Sequence, residues 1–342
     1  MPGRPTLEDL AAAAGVSLST LDRIVNRRGT VKRTTIEHVL TAAERIGYHG
    51  APVIRQRLMQ GMPVQTFGFL LNPHDRALYA ELAERLAQRT RDSQRVQGRA
   101  VVHYLQDLDP VAMAAALEAL GDGCDAIGAV LLDHPLVHAA VERLAAKGIP
   151  VWTLFSDLST PARAGFVGSD ALKMGRSAGW FVHQLSPAEG QVLVLTGSPG
   201  YLAHGGYDRG LRAALEEASS RLDILPAQAS FERDDKAQAI VRTSLAKHDN
   251  IVALVVAGGG VEGAVDALTP DQRQRITIIA TELSDAINRC LKEGVLDVVL
   301  SHPVDRVVEE LVSAMEEAAL HGLGERSAPS VIPIEIRICE SF

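Results

Sequence analysis

The sequence of 342 residues lacks the features that mark secreted, membrane and metal-binding proteins. Its three cysteines, Cys124, Cys290 and Cys339, are odd in number, far apart and without metal-ligand spacing, so we expect reduced thiols and no metal site. No run of eighteen apolar residues occurs, which argues against a membrane-spanning helix. The amino terminus has no apolar signal-peptide core, and the protein is therefore expected to stay in the cytoplasm, away from membranes.

Motifs for nucleotide binding and for nucleophilic catalysis are also missing. The glycines at 258–260 follow an apolar run, but they do not match G-x-G-x-x-G and lack the acidic partner of a dinucleotide site. The GSPG run at 197–200 does not match the nucleophile elbow G-x-S-x-G. We therefore predict no cofactor and no enzymatic activity, and we expect the glycine triplet to let a ligand or a facing lobe of the protein approach closely.

Charge is distributed unevenly along the chain. The net charge is −8, yet residues 1–62 carry a local balance of +4, which leaves −12 on the remainder. A basic amino-terminal module on an acidic body is typical of a DNA-binding head joined to a domain with another task. The acidic body also disfavours non-specific wrapping of nucleic acid.

Residues 6–26 carry the pattern of two short helices joined by a turn. Thr6 and Asp9 have the spacing of a capping box, and Ser17 stands where the second helix needs an N-cap. Gly15 tolerates the positive φ of the sharp turn between the helices. This is the layout of a helix-turn-helix, whose second helix enters the DNA major groove, although the spacing alone also fits an ordinary helical hairpin.

A third helix and a short linker segment follow these two helices in the sequence. Thr34 and Glu37 have the spacing of another capping box, so the third helix is predicted to begin near Thr34 and to end at Gly47. Residues 53–60 then form a helix candidate of two turns. A helix this short is marginal alone, so we expect it to form only where something packs against it.

Beyond residue 62, apolar strand-like runs alternate with amphipathic helical runs, which predicts parallel sheets covered by helices on both faces. Their number exceeds what one open sheet holds, so we predict an α/β fold with two doubly wound domains and a ligand cleft between them. The strand candidates are 66–71, 100–105, 126–132, 150–155, 164–167, 191–196, 223–227, 251–257, 276–280 and 297–301. The helix candidates lie near 76–96, 110–121, 136–147, 171–185, 205–219, 236–248, 261–268, 283–293 and 303–321.

The run T-L-x-D-L-A-x-x-A-G-V-S-x-S-T-x-x-R-x-V-N in residues 6–26 resembles the lactose/galactose repressor family (LacI/GalR). Weaker matches at 167–179, 197–215, 255–268 and 295–303 lean towards the branch whose body resembles periplasmic sugar-binding proteins. The resemblance implies a homodimeric regulator of transcription that binds a pseudopalindromic operator in double-stranded DNA. It also implies control by a small molecule, such as a sugar or a sugar derivative, and a repressor is the expected form.

The resemblance further implies three parts: a helix-turn-helix domain at 1–50, a hinge helix and linker at 51–62, and a ligand-binding and dimerisation domain at 63–342. The last part is expected to have the two-lobed fold of a type I periplasmic binding protein. Its amino-terminal lobe is expected at about 63–162 and 291–321, and its carboxy-terminal lobe at about 163–290 and 322–342. The chain is expected to cross between lobes near 160–164, 288–293 and 321–325, and the last residues to form a strand pair.

On the DNA side, the family reads bases with residues that match Leu18, Ser19 and Arg23. Arg23 can bond guanine bidentately, while a phosphate contact or a solvated position is the alternative. Leu18 and Asp22 depart from the family's usual residues, so we expect a distinct operator, with Asp22 orienting Arg23 or Arg27. Phosphate contacts are implied by the resemblance for Thr6, Ser17, Thr20, Asn26 and Thr35.

Two residues of the expected hinge helix determine the contact that we predict between this helix and DNA. Leu58 matches the family's hinge leucine, which wedges into the central base step, and packing against the body is the alternative. Arg55 stands where the family usually has a small alanine. An arginine there either enters a narrow A·T-rich minor groove or prevents the usual docking of the hinge helix.

In the body, the resemblance implies ligand contacts for Asp170, Arg209 and Glu282. Carboxylates and arginine form directional hydrogen bonds with vicinal hydroxyls, and aromatic faces stack on a sugar ring, so a polyol suits this chemistry. A surface salt bridge is the alternative for each charged residue, and a capping or solvated position is the alternative for His302. The other candidates are Asn72, Asp133, Phe155, Ser156, Asp157, Tyr207, Gly258 and His302, with His74, Trp152, Tyr201 and His204 as further possibilities.

Three rival functions stay open at this point. The effector either releases the protein from DNA or, as a co-repressor, strengthens DNA binding. A transport receptor shares the predicted body but not the head. A small-molecule enzyme needs a nucleophile, metal or cofactor constellation that the sequence does not offer.

Overall fold

The computed structural model describes residues 4–26, 28–59, 62–73, 76–323 and 329–342. The chain forms two compact units: the first runs to Gln65 and includes Asp92–Gly98, and the second holds Thr66–Arg91 and Arg99–Phe342. Arg27 and His74, both considered above, lie outside the described residues. Within the described part of the chain, no helix is both long and apolar enough to cross a membrane.

The first unit is helical. Its described helices are α1 (Leu7–Ala14), α2 (Leu18–Val25), α3 (Arg33–Ile46) and α4 (Ala51–Met59).

Local capping sets where these helices begin. Thr6 and Asp9 form both bonds of the predicted capping box at α1, and the Ser17 side chain accepts from the Thr20 amide at α2. The capping box predicted at Thr34 is wrong, because α3 begins one residue earlier and its N-cap makes no side-chain bond. Glu37 accepts from Arg33 Nε at 2.7 Å instead, so the arginine captures the carboxylate that the cap would need.

The short helix α4 is held by the apolar core of the first unit. Ile54 is fully buried and Leu58 is 5 % exposed, and both belong to one cluster with Leu10, Leu21 and Val39. This packing explains how a helix of nine residues exists, since isolated helices of that length are marginal in water.

The second unit is built from two sheets with helices around them. The strands are β1 (Val64–Leu71), β2 (Gln97–Tyr104), β3 (Ala126–Ala129), β4 (Val151–Leu154), β5 (Gly165–Gly168), β6 (Glu189–Thr196), β7 (Arg221–Ile224), β8 (Gln228–Ala229), β9 (Ile251–Ala257), β10 (Thr277–Ala280), β11 (Val298–Ser301), β12 (Ser330–Val331) and β13 (Glu335–Arg337). The helices are α5 (Ala77–Arg91), α6 (Pro110–Gly121), α7 (Pro135–Ala146), α8 (Ala171–Leu185), α9 (Leu202–Glu217), α10 (Asp234–Lys247), α11 (Val261–Asp266), α12 (Pro270–Arg275), α13 (Asp285–Lys292) and α14 (Val304–His321), and a 3₁₀ turn lies at Cys339–Ser341.

The strand order defines two lobes. The amino-terminal lobe contains the sheet β12-β5-β4-β3-β1-β2, and the carboxy-terminal lobe contains β13-β11-β10-β9-β6-β7 with β8 beside β6. The inner strands pair in parallel, as β3 does with β1 and β9 does with β6. The predicted α/β fold with two doubly wound sheets is therefore confirmed, and α12 is a helix that the sequence patterns did not indicate.

The predicted crossings between lobes fall too early in the chain. β5 and β12 belong to the amino-terminal sheet, whereas β11 belongs to the carboxy-terminal sheet, so the chain crosses at 169–170, 302–303 and 332–334. The tail supplies two strands, but they do not pair with each other, because β12 pairs with β5 and β13 runs antiparallel to β11. Buried apolar strands of the two sheets have similar compositions, so sequence pattern does not reveal which sheet a strand joins.

Glycines bring α8 and α9 into backbone contact. A Cβ on Gly175 would overlap the carbonyl of Tyr207, and a Cβ on Gly210 would overlap the carbonyl of Leu172. The amino-terminal end of α9 is thereby fixed beside the cleft between the two sheets.

Candidate DNA interface and ligand cleft

The second helix of the first unit presents a polar face to solvent. Leu21 and Ile24 are buried, whereas Leu18, Ser19 and Arg23 are exposed, with Leu18 at 45 %. Arg23 Nη2 lies 3.4 Å from Ser19 Oγ, so the two polar side chains predicted to read bases stand together. The three residues thus share one exposed face of α2, and their reading of bases stays a prediction.

The predicted phosphate contacts lie around that surface. The side chains of Thr6, Ser17 and Asn26 are exposed, and those of Thr20 and Thr35 are half-buried. Thr6 is already used locally, because its hydroxyl donates to Asp9 at 2.8 Å, and hydrogen bonds from Thr6 lower the pKa of Asp9.

Asp22 does not orient Arg23. Its Oδ1 accepts from Asn26 Nδ2 at 2.5 Å, and its Oδ2 lies 3.9 Å from Arg28 Nη1. The predicted pairing of Asp22 with Arg23 is therefore wrong, and the other predicted partner, Arg27, lies outside the described residues.

The hinge residues are engaged within the first unit. Leu58 faces the unit's own core, which differs from both predicted positions, a wedge into DNA and packing against the body. Arg55 Nη2 pairs with Glu44 Oε1 at 2.5 Å, and this ion pair is about half exposed. A wedge role for Leu58 therefore requires α4 to leave its present packing.

In the second unit, the cleft between the lobes contains a partly open cavity. The volume open to the centres of water-sized molecules is about 70 Å³, which is room for several waters. Its wall combines apolar side chains, three tyrosines, two histidines and two carboxylates. The lining residues are Leu78, Tyr79, Val130, Phe155, Ser156, Ala171, Met174, Tyr201, Ala203, His204, Tyr207, Glu232, Ala257, Gly258, Thr281, Glu282 and His302.

Buried polar side chains connect the lobes beside this cavity. Asn72, at the end of β1, is fully buried and donates to Tyr201 Oη at 2.8 Å and to Glu232 Oε2 at 3.3 Å. Arg76, from the same lobe, pairs with both Glu232 and Glu282 of the other lobe. Burial disfavours the charged guanidinium, but Glu282 and Glu232 outweigh it and raise the pKa of Arg76, so it stays ionised.

Two buried polar atoms in the cavity wall have no hydrogen-bond partner among the described residues. They are Tyr207 Oη and His302 Nδ1. Tyr207 is 3 % exposed, and burial raises the pKa of its phenol. Burial, with a smaller effect from His204, lowers the pKa of His302 to about 4, so its ring is neutral at pH 7. Because buried polar groups are normally bonded, these two atoms mark places where a ligand would supply hydrogen bonds.

Local strain positions one wall of the cavity. Phe155 has φ +61°, in the left-handed region that non-glycine residues seldom adopt. Its ring lies 4.7 Å from the ring of His302, centroid to centroid. Ser156 Oγ then accepts from the Ala203 amide of the facing lobe at 3.2 Å, so the strained turn brings both side chains to the cleft.

The candidate ligand residues divide into two groups. Phe155, Ser156, Tyr207, Gly258, Glu282 and His302 line the cavity, and Asn72 lies behind it in the buried network. The other predicted ligand contacts do not line it: Asp133, Asp157, Asp170 and Arg209.

Each of these four has another environment. Asp133 accepts from Ser159 and His138, and these bonds outweigh burial and lower its pKa. Asp157 pairs with Arg163 inside its own lobe, and Asp170 caps α8 through the Lys173 amide at 3.0 Å. Arg209 is exposed on α9, where its guanidinium lies near Gly205. Trp152 is also buried in β4 away from the cavity.

Arg76, Tyr79, Glu232 and Thr281 were missed as site residues. Glu232 and Arg76 sit in loops after β8 and before α5, without a motif around them. The sequence offered one indication for Arg76, because it lies a few residues beyond the end of β1. Ligands of parallel sheets bind at the carboxyl ends of the strands.

Comparison with known proteins agrees with this architecture. The model of the bacterial regulatory proteins, lacI family, matches residues 6–50, and the model of the periplasmic binding protein domain matches residues 67–321. The second match covers most of the chain. The chain belongs to the periplasmic binding protein domain family and opens with a lacI-family segment. The resemblance drawn from residues 6–26 is thereby confirmed.

Among lacI-family relatives, the sucrose operon repressor of Lactococcus lactis subsp. lactis is 35 % identical over 82 residues, 24 % of this chain and 25 % of that protein. The chain thus matches about a quarter of the length of this relative. The HTH-type transcriptional regulator DegA of Bacillus subtilis (strain 168) is 23 % identical over 224 residues, 64 % of this chain and 63 % of DegA.

Solved structures support the fold of the periplasmic-binding-protein body. The glucose-galactose binding protein GanP of Geobacillus stearothermophilus aligns with a TM-score of 0.71 at 18 % identity, over 81 % of this chain and 99 % of that one. A solute binding protein of Bacillus halodurans with bound myo-inositol aligns with a TM-score of 0.71 at 19 % identity, over 82 % and 96 %.

Proposed function

We propose that this protein is a cytoplasmic transcriptional repressor. It binds a pseudopalindromic operator as a homodimer, and a small polyhydroxy effector bound in the cleft controls its DNA affinity without being converted. The lacI-family match over residues 6–50 supports the DNA-binding half, together with the free polar face of α2.

The main support for effector binding in the cleft is the pair of unpartnered atoms in the cavity, Tyr207 Oη and His302 Nδ1. A phenol and a neutral imidazole offer donors and acceptors suited to hydroxyl groups. The aromatic faces of Phe155 and Tyr201 supply apolar surface for a ring. Sucrose operon repressors among the relatives, and sugar-binding proteins among the structural neighbours, support the same ligand class.

The mechanism is a shift of population between lobe arrangements. An effector that contacts both lobes binds one arrangement better than the other, and only that difference in affinity changes the equilibrium. The new arrangement alters how two subunits present their hinge helices, of which Leu58 is the proposed DNA-contacting residue and Arg55 its neighbour at the minor groove.

Thermal unfolding against D-arabinose, D-fructose, myo-inositol and a wider polyol and nucleoside panel tests the effector half. A compound that binds only the folded protein raises the apparent melting temperature. Tyr207→Phe is expected to reduce that rise, whereas Arg209→Ala, outside the cavity, should leave it unchanged. A panel without any stabilising compound would contradict the proposed ligand class.

Selection of bound sequences from random duplex DNA tests the DNA half. Arg23→Ala should weaken binding to the selected operator more than binding to random DNA, by roughly 10-fold or more if Arg23 bonds a guanine. Arg242→Ala, an exposed arginine on α10, is the control. Equal losses for both DNAs would make Arg23 a phosphate contact.

Titration of the operator with and without effector then shows whether the effector releases or strengthens DNA binding. Light scattering at the same protein concentrations should show a dimer.

A further inference from the structure

Arg76 is a charged bridge between the two lobes. Its Nη1 bonds Glu232 Oε2, and its Nη2 bonds Glu282 Oε2. All three side chains are at most 15 % exposed. Two carboxyl groups therefore share one guanidinium, so acidic groups outnumber basic groups in this cluster.

The carboxy-terminal lobe is shaped around this guanidinium. A Cβ on Gly259 would overlap the Arg76 guanidinium, so a larger residue at this position would displace the arginine. The loop is also fixed by hydrogen bonds, because Ser230 Oγ donates to the Gly259 carbonyl at 3.0 Å and the Gly258 amide donates to Thr281 Oγ1 at 2.8 Å. The glycine triplet thus admits a side chain of the facing lobe, one of the two roles expected for it.

We propose that Glu232 and Glu282 form a subsite for hydrogen-bond donors, and that Arg76 fills this subsite in the empty protein and holds the cleft closed. The effector takes over the two carboxylates with its own hydroxyl or ammonium groups. The effector part rests on the proposed function, whereas the closure of the empty cleft stands by itself.

The carboxylates of Glu232 and Glu282 determine which classes of effector can bind in this subsite. Glu232 and Glu282, the two carboxylates that Arg76 bonds, both line the cavity, so a ligand that bonds them there must take the place of Arg76. A buried carboxylate that loses its partner is strongly destabilising, and the incoming molecule must therefore donate to it. A phosphate or carboxylate on the effector would face two carboxylates instead. Neutral polyols and amino sugars are admitted, and sugar phosphates and sugar acids are excluded.

Hydrogen exchange on the full-length protein without effector tests the closure. Two backbone amides bond across the cleft: Asp133 to the Gly200 carbonyl at 2.8 Å, and Ala203 to Ser156 Oγ at 3.2 Å. Arg76→Met should increase exchange at both amides by at least roughly 10-fold, because two buried ion pairs are lost. Amides of β9 should keep their protection, which shows that the fold is intact.

Two further variants keep this test decisive. Arg163→Met removes a partly buried ion pair with Asp157 that lies inside one lobe, and should leave the cross-cleft amides unchanged. Glu282→Gln keeps Arg76 but weakens its bridge, and should increase exchange in the same direction as Arg76→Met. Wild-type exchange in both Arg76→Met and Glu282→Gln would overturn the closure.

Chemical rescue tests the subsite. In Arg76→Ala, millimolar methylguanidinium chloride should restore protection at the Asp133 and Ala203 amides, while the same concentration of sodium chloride or inorganic phosphate should not. Failure of methylguanidinium, or protection by phosphate, would overturn the donor subsite. These results do not depend on finding a sugar that binds, so failure of the polyol panel and failure of this inference are separable.

Discussion

The side chains of Asn72 and Tyr201 exchange two hydrogen bonds across the cleft: Nδ2 donates to Oη at 2.8 Å, and Oη donates to Oδ1 at 3.1 Å. Both side chains are buried. Asn72 Nδ2 also donates to Tyr79 Oη at 3.0 Å, whereas Tyr201 is the donor to Asn72 Oδ1. A third tyrosine of the cavity, Tyr207, has no such partner in the described part of the chain.

Tyr201→Phe and Tyr207→Phe should therefore have different effects on the stability of the protein without effector. Loss of the Tyr201 hydroxyl leaves Asn72 short of a partner and should lower the free energy of unfolding by about 1–3 kcal/mol. Loss of the Tyr207 hydroxyl removes an unbonded buried atom and should leave stability unchanged or increase it. Urea unfolding of both variants checks this, and equal destabilisation would show that Tyr207 Oη is bonded in solution.

The contact between α8 and α9 makes one glycine of α9 irreplaceable and another expendable. Gly210→Ala forces a Cβ against the Leu172 carbonyl and should destabilise by about 1–3 kcal/mol despite the better helix propensity of alanine. Gly205→Ala on the same helix meets only the end of the Arg209 side chain and should stabilise by about 0.5–1 kcal/mol. Melting temperatures that move in the same direction for both would refute the close packing.

Acid should destabilise the second unit through His302. Its pKa is about 4 in the folded protein and 6.5 ordinarily, so between these values the unfolded chain binds more protons. The neutral His302 ring makes its full contribution to the free energy of unfolding above about pH 6.5, and this contribution is lost as the pH falls towards 4. At pH 5 this loss is on the order of 2 kcal/mol.

His302→Gln isolates that effect from other groups, such as His204 and Glu282, whose pKa values are also shifted by burial. The free energy of unfolding of the variant should fall by about 2 kcal/mol less than that of the wild type between pH 7 and pH 5. Identical pH profiles for the two proteins would place the pKa of His302 near its ordinary value.

Leu58 should matter to the first unit in the absence of DNA. Leu58→Ala leaves a cavity in the helical core and should cost about 2–5 kcal/mol, seen as faster hydrogen exchange across α3 and α4. Val53→Ala on the exposed side of α4 is the matched control and should change stability by no more than about 0.5 kcal/mol. If both variants behave alike, α4 is not docked in free protein.

Local rules predicted the head well because its determinants are local. The cap at Thr6, the cap at Ser17 and the positive φ of Gly15 each depend on residues a few positions apart. The cap predicted at Thr34 failed because Arg33 competes for Glu37, and a capping pattern carries no information about such a competitor.

The cleft was predicted less completely because its residues meet only in three dimensions. Phe155 and Glu282 border or follow recognisable strand ends, and Tyr207 is an aromatic residue in a segment that resembles the family, which made all three candidates. Arg76 and Glu232 are 156 positions apart in sequence and lie in irregular loops. Arg209 matched a family position, yet helix α9 turns it to solvent, so position in a motif did not determine where the side chain points.

His302 occupies one of the three segments by which the chain passes from lobe to lobe, between β11 and α14. Atoms beside a pivot move least when two bodies rotate about it. A ligand bonded to His302 keeps that contact in open and closed forms alike, so His302 contributes affinity but little discrimination between them. Discrimination falls to residues far from the pivot, and β1, which leads to Arg76, stands three strands from β5 in its sheet. Retention of an effector and response to it are thus separable by mutation of different residues of one cleft.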